Sequence, residues 1–328
     1  MFEIILLLVI MIFLSIIFIT LGSDWATDSL IPLAQKLGTT HVAIGLILVS
    51  IMVSLPEIII AIWAAKLGHI NISLGVIIGS IICNIGLMTG LSAMIKPLKV
   101  SRSLILRDSI FAVCVAIVVL VLSTDYQITR SEGWAFILIF IPYLINVWVQ
   151  EKSKHEAQKE KELKEVEIEL DFIGLQFGKI KAGVLSFILG MILLLIGSYL
   201  FSKSLTWISG AFGFSDLLIG LTIGAIGPSI PNIAAAIQAT LKNMEEVAVS
   251  ETLGSNIFTL LITLGILSII QPITITAGWL RFDIPIMVAM SILLLTFMVY
   301  KQRISRAEGW ILFLSYIAVL IMNIFIHM

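Results

Sequence analysis

Ten apolar runs of about 20 residues follow one another along this chain and leave it few folds to choose from. A run of that length crosses a hydrocarbon core as a helix, because lipid offers no partner to an open backbone N–H or C=O. The runs lie near 2–21, 42–65, 73–95, 104–123, 132–149, 182–202, 217–240, 248–269, 282–300 and 307–327. Only 12% of the 328 residues are charged and 59% are hydrophobic, whereas soluble domains carry about 25% charged residues. The pattern predicts an all-α polytopic membrane protein with ten transmembrane helices. No basic stretch precedes the first run and no small-residue cleavage pattern ends it, so it is expected to stay as a first helix. Cys83 and Cys114 fall inside spans, which implies no disulfide framework.

One long polar stretch, residues 151–171 (EKSKHEAQKEKELKEVEIELD), divides the spans into five and five. It reads as a solvated linker. The expected organisation is a first transmembrane repeat over 1–150, a charged cytoplasmic linker over 151–181, and a second, inverted repeat over 182–328. The halves match at a fixed offset of 175 residues. Gly22-Ser23 pairs with Gly197-Ser198, Ser54 with Ser229, Pro56 with Pro231, Gly79-Ser80 with Gly254-Ser255, and Gly90 with Gly265. Glu132-Gly133-Trp134 matches Glu308-Gly309-Trp310 at 176. Glycines alone could coincide in two glycine-rich segments; SxP, GS and EGW at one offset mark a duplication. An odd number of spans per copy turns the second copy upside down, giving inverted-topology five-helix repeats with a midplane site between them.

Charge bias sets the orientation. With the linker in the cytoplasm, the inner side collects 16 of the 20 Lys and Arg residues, and the outer side only Lys66, Arg130, Lys203 and Arg281. Both termini are then outside, in a multi-pass protein of the plasma membrane.

Within the second span, SLPE places Glu57 among isoleucines and alanines. An ionised group at mid-membrane costs roughly 3 kcal/mol or more, so Glu57 calls for a partner or a function. The bland alternative is a protonated side chain facing a polar cavity. Pro56 has no N–H and leaves the Met52 carbonyl without its helical partner; Pro231 does the same to Gly227. Freed carbonyls are tolerated in a membrane where something else satisfies them, and a hard cation prefers oxygen ligands. Two prolines at matched positions, each beside polar residues, predict broken helices around an ion site. In GSIICN, Ser80 and Asn84 share a helix face; in GSNIFT the same positions hold Ser255 and Thr259, with Asn256 beside them.

SLPE followed by GSIICN, then a second SxP and GSN in an inverted half, resembles the calcium/cation antiporter superfamily, in particular the compact prokaryotic sodium/calcium exchangers. The resemblance covers nearly the whole chain. It implies ten helices, with the second, third, seventh and eighth lining alternating-access sites that hold Na⁺ and Ca²⁺ in turn. By position it implicates Glu57, Ser54, Ser80 and Asn84 in the first repeat, and Ser229, Asn232, Ser255 and Thr259 in the second. The family's GTSLPE is MVSLPE here, so Val53 replaces a threonine. The second copy is GPSIPN, with Pro228 for the threonine and Asn232 for the glutamate. Thr259 stands where exchangers can carry an aspartate. One carboxylate therefore remains, and a divalent ion beside it leaves charge uncompensated in a low dielectric.

These features predict a secondary active cation antiporter that exchanges Ca²⁺ for Na⁺, or alternatively Na⁺ or K⁺ for H⁺. A channel is the competing class; its filters are usually oligomeric rings, whereas this chain duplicates internally. No enzyme is expected: His41, His69, His155 and His327 fall in loops or ends, and no midspan constellation of His, Asp and Cys appears. No cofactor is called for beyond the transported cations Ca²⁺, Na⁺ and H⁺. Expected partners are the lipid bilayer and small inorganic cations, with no nucleic acid. Glu251, four residues before Ser255, reads either as a helix-start carboxylate favoured by the macrodipole or as a cation recruiter at the inner mouth.

Overall fold

The computed structural model describes residues 2–36, 52, 54–153 and 183–327. The expected linker lies almost wholly outside the described residues, as do His41 and His155. The chain runs through helices α1 (Phe2–Lys36), α2 (Leu55–Lys66), α3 (Ile70–Ile95), α4 (Arg102–Asp125) and α5 (Arg130–Ser153). After residue 182 follow α6 (Val184–Phe212), α7 (Asp216–Leu241), α8 (Glu245–Ile270), α9 (Trp279–Lys301) and α10 (Arg306–His327). Among the described residues all but α2 are long and apolar enough to cross a membrane. Helix α2 is the described end of the 42–65 run, whose earlier part lies outside the described residues. The helices outrun several of the apolar stretches: α6 continues to Phe212 and α8 begins at Glu245, because polar residues extend a helix past the hydrocarbon edge at no cost.

Helices α3 and α8 form the centre and are mostly buried, while α5 and α10 turn much of their apolar surface outward. That gradient suits a bundle in lipid, where outward leucine and isoleucine meet acyl chains. At one crossing in the centre, α3 and α7 touch backbone to backbone: a Cβ on Gly75 would come within 2.7 Å of the Gly220 Cα. Small residues at such a crossing let two membrane helices approach closely.

The duplication is visible in three dimensions. Four two-residue strands cap the bundle: β1 (Leu98–Lys99), β2 (Gln127–Ile128), β3 (Ile273–Thr274) and β4 (Arg303–Ile304). Adding 175 to β1 gives β3, and adding 176 to β2 gives β4. The pairs formed are β1 with β4 and β2 with β3, both antiparallel. A two-fold operation that swaps the halves turns one pair into the other, as inverted repeats require. Polar contacts obey the same sidedness. Lys96, beside β1, forms an ion pair with Glu245 and bonds Asn243, and His69 Nδ1 lies 2.8 Å from Asp216 Oδ2 at the opposite end. Each contact joins segments that the odd repeat puts on one side.

The EGW signature also acquires a physical cause. Glu132 accepts from the Thr129 N–H (2.6 Å) and hydroxyl (2.7 Å), and Glu308 accepts from the Ser305 N–H (2.6 Å) and hydroxyl (2.7 Å). These are capping boxes at the starts of α5 and α10. The glycine that follows each one packs on the opposite copy, Gly133 against Gly265 and Gly309 against Gly90.

Candidate ion-binding site

Helix α2 begins where SLPE begins. Ser54 is its N-cap, and Pro56 and Glu57 occupy the first turn. Proline is at ease there, since the N–H it lacks would have no helical acceptor, and a carboxylate there meets the positive end of the helix dipole. The break expected ahead of Glu57 falls on residues 51 and 53, outside the described residues. Met52 is buried. The second copy departs from expectation. Pro228 and Pro231 lie inside an uninterrupted helix, Ala225–Leu241, so the helix predicted to break at GPSIPN does not. A π-helical turn at Gly220–Gly224 comes immediately before it. Widening the turn there relieves the clash of a proline ring with the carbonyl four residues back.

Both GS helices change character at matched positions. A π-helical turn covers Asn84–Thr89 in α3, and another covers Thr259–Thr263 in α8. Asn84 and Thr259, the polar residues one turn beyond the motif serines, open the two turns 175 residues apart. Turns of this kind are frequent at functional sites because they shift backbone groups out of helical register. The Thr89 hydroxyl takes up one such group, donating to the Asn84 carbonyl (3.1 Å), and lies 2.8 Å from the Thr252 hydroxyl across the repeats.

Three of the candidate positions, Ser54, Asn84 and Ser255, come together directly, and Asn256 joins them. The Ser54 hydroxyl donates to Ser255 Oγ (3.3 Å), and Asn84 Nδ2 donates to Ser255 Oγ (3.5 Å) and to Asn256 Oδ1 (3.2 Å). Helix α2, which carries Glu57, packs against α3, α7 and the π turn of α8. Two motif hydroxyls turn instead to their own helices: Ser80 donates to Val76 O (2.6 Å) and Ser229 to Ala225 O (2.9 Å). Their lone pairs stay open to an ion, since donation uses only the proton. Gly227 is covered by the Phe201 ring.

The polar atoms left over are the most informative feature. Glu57 is 0% exposed, yet neither of its carboxylate oxygens has a hydrogen-bond partner among the described residues; the same holds for Asn84 Oδ1, Asn232 Nδ2 and Thr259 Oγ1. Each orphaned buried group costs about 1–3 kcal/mol. Several such oxygens on packed elements of both repeats make a set that a desolvated cation would satisfy. Among the described residues no group of three or more His, Cys, Asp or Glu could hold a metal ion.

Three residues escaped the sequence reading. Asn256 was noticed beside Ser255 but not counted as a candidate; its side chain is the one that meets Asn84, while its counterpart by offset, Ile81, is apolar and gave no matched pair. His69, assigned to a loop without a role, bonds Asp216, whose other oxygen accepts from the Ser209 hydroxyl (2.5 Å). Asp24 is a buried carboxylate in α1. An acid four residues from Asp28 in the span Ile5–Ser29 was signal enough to find it.

Inverted five-helix repeats with orphaned polar oxygens on packed helices are an architecture of membrane transporters. The profile of the sodium/calcium exchanger protein family matches residues 7–149 and 182–325, leaving out the linker. The chain belongs to that family. It is similar to the CaxA protein of Alkalimonas amylolytica, with 33% identity over 89% of this chain and 92% of that one. It is also similar to the sodium/calcium exchanger MaX1 of Methanosarcina acetivorans, with 26% identity over 95% and 97%. Among solved structures, the sodium-calcium exchanger NCX_Mj soaked with Na⁺ and Ca²⁺ superposes with a TM-score of 0.66 at 27% identity, covering 96% of this chain and 98% of that one.

Proposed function

We propose that this protein is a secondary active cation antiporter that exchanges Ca²⁺ for Na⁺ by alternating access around Glu57. The observation that carries the reading is the group of oxygens of Glu57, Asn84 and Thr259, on packed helices of the two repeats, that have no hydrogen-bond partner among the described residues. Ser54, Ser80, Ser229 and Ser255 supply further oxygens, as do the Met52 carbonyl just ahead of α2 and the Gly227 carbonyl passed over by Pro231. A site split between two repeats opens to one side or the other when the repeats rock against each other. The charged linker lies in the cytoplasm and both termini outside, in the plasma membrane, as the Lys and Arg bias requires.

A second reading rests on the motif charge. GPSIPN and GSNIFT give Glu57 no second motif acid, so a monovalent ion balances it better than a divalent one, and Na⁺ or K⁺ would exchange for H⁺. The test is flux into proteoliposomes with Na⁺, Ca²⁺, K⁺ and pH gradients imposed one at a time. Ca²⁺ uptake driven by outward Na⁺ supports the first reading. Na⁺ or K⁺ flux driven by a pH gradient, without Ca²⁺ movement, supports the second. Unsaturable flux without a counter-ion contradicts both.

A further inference from the structure

The α1·α6 pair holds an acid that the central site does not use. Gly22 of α1 packs on the backbone of Gly190 and Leu194, and Gly197 of α6 packs on Ser15 and Ile19. In that antiparallel register, residue x meets residue x + 175 near Thr20 and Leu195. The pseudo-two-fold axis of inverted repeats lies in the membrane plane, so this crossing marks the midplane. Asp24 is four residues further along, about 6 Å at helical rise, well inside a half-core of about 15 Å.

Asp24 is 4% exposed, and neither of its oxygens has a hydrogen-bond partner among the described residues. The nearby hydroxyls do not serve it: Thr20 donates to Ile16 O (2.8 Å) and Thr27 to Ser23 O (2.7 Å). Among the described residues no cation faces it closely either. Helix α6 carries no titratable residue from Val184 to Ser198, and α7 carries none from Leu217 to Leu241. Helix α2 brings Glu57 and, at its far end, Lys66. On α1 itself the neighbour one turn on is Asp28, which is exposed.

The duplication provides an internal control. At the matched place in repeat two stand Tyr199 and Lys203. The Tyr199 ring meets Trp63 edge-on at 5.0 Å, and the Lys203 ammonium lies 5.9 Å from that ring. The flanking pattern is kept, with Ser23, Thr27 and Ser29 answered by Ser198, Ser202 and Ser204, all buried. The fold therefore closes around an aromatic ring at this position and has no need of an acid. A carboxylate kept inside the hydrocarbon without a structural demand is a functional group by default.

We propose that Asp24 is a second ion-handling acid, a proton-binding site carried on α1 and separate from the Glu57 site. A hard cation takes about six to eight oxygen ligands, whereas a proton needs one, and the Asp24 carboxylate supplies it. The carboxylate takes a proton from water to become the neutral acid and returns it to water. Asp28, one turn nearer the linker side on the same helix face, marks the end from which protons arrive.

The inference rests on the antiport reading only for its flux measurement. The full chain, as wild type, Asp24→Asn and Asp24→Glu, is placed in proteoliposomes with an entrapped pH dye under a Na⁺ gradient and then a Ca²⁺ gradient. Protons moved per cation should fall at least tenfold in Asp24→Asn and recover in Asp24→Glu. An unchanged ratio in Asp24→Asn, or no proton movement by wild type under either gradient, overturns the proposal. A second measurement needs neither transport nor a folded variant. A hydrophobic carbodiimide, which adds to protonated carboxyls, should modify Asp24 of the wild type in detergent at least fivefold less as pH rises, read by peptide mass. Absence of the Asp24 adduct at every pH also overturns it, while cation exchange that persists leaves the Glu57 reading standing.

Discussion

The Ser54 hydroxyl lies 3.3 Å from the Ser255 hydroxyl, so the serine of SLPE in one repeat meets the serine of GSN in the other. The contact that symmetry would pair with it, Ser229 to Ser80, is replaced by bonds from each serine to its own helix. One half-site is therefore stitched across the repeats and the other is not. Ser255 also receives Asn84, which makes it the hub of the stitched half.

Removing that hub should weaken ion binding without abolishing it, because only a neutral oxygen is lost. Ser255→Ala and Asn84→Ala are each expected to lower apparent cation affinity about tenfold, equivalent to about 1.4 kcal/mol. The measurement is the half-saturating Na⁺ and Ca²⁺ concentration for flux. Wild-type values in both variants would place the ion elsewhere.

Charge counting gives a second expectation. Asn232→Glu and Thr259→Asp each add an acid at a position matched to the site, and a second charge balances a divalent ion better than one does. Both should raise Ca²⁺ affinity relative to Na⁺. A proton competes with the cation for the Glu57 carboxylate, so wild-type Ca²⁺ binding is present at high pH and is lost as pH falls. Calorimetric titration of the three proteins across pH decides the matter. Tight, pH-independent binding by the wild type, unchanged by the added acids, would show that neutral oxygens suffice.

Packing offers a prediction independent of ions. Gly75→Val pushes a branched side chain into the Gly220 backbone and should destabilise the α3·α7 crossing by about 1–3 kcal/mol. Its thermal unfolding midpoint in detergent should fall by several degrees. An unchanged midpoint would mean the two helices separate more easily than their contact implies.

Topology can be read by labelling. In a background lacking Cys114, the native cysteine exposed on the bundle surface, Gln158→Cys should react from the cytoplasmic side and Met328→Cys from the other. Reaction of both from one side would contradict the inverted orientation, whatever ion is carried.

Much of this architecture was legible because its signals are long or repeated. Apolar runs announce membrane helices, and SxP, GS and EGW at one offset announce the duplication; the capping bonds of Glu132 and Glu308 explain why EGW was kept twice. The π turns at Asn84 and Thr259 were hidden, since a helix apolar on every face has no phase from which a register shift could be read. Helix α7 was expected to break at its prolines and does not; a π turn ends at Gly224, the residue whose carbonyl the Pro228 ring would crowd. Asp24 was overlooked for a different reason. Its counterpart is Tyr199, and a comparison that seeks identical pairs passes over positions where the two copies diverge.

The account depends most on Glu57, the one carboxylate of the matched motifs, buried with no hydrogen-bond partner among the described residues. Its direct test is ion-gradient-driven flux in proteoliposomes by wild type and by Glu57→Gln, which keeps the shape and removes the charge, at matched protein incorporation. Saturable, counter-ion-dependent cation flux by the wild type, reduced at least a hundredfold in Glu57→Gln, is the predicted result. A Glu57→Gln protein that transports like the wild type would contradict the account.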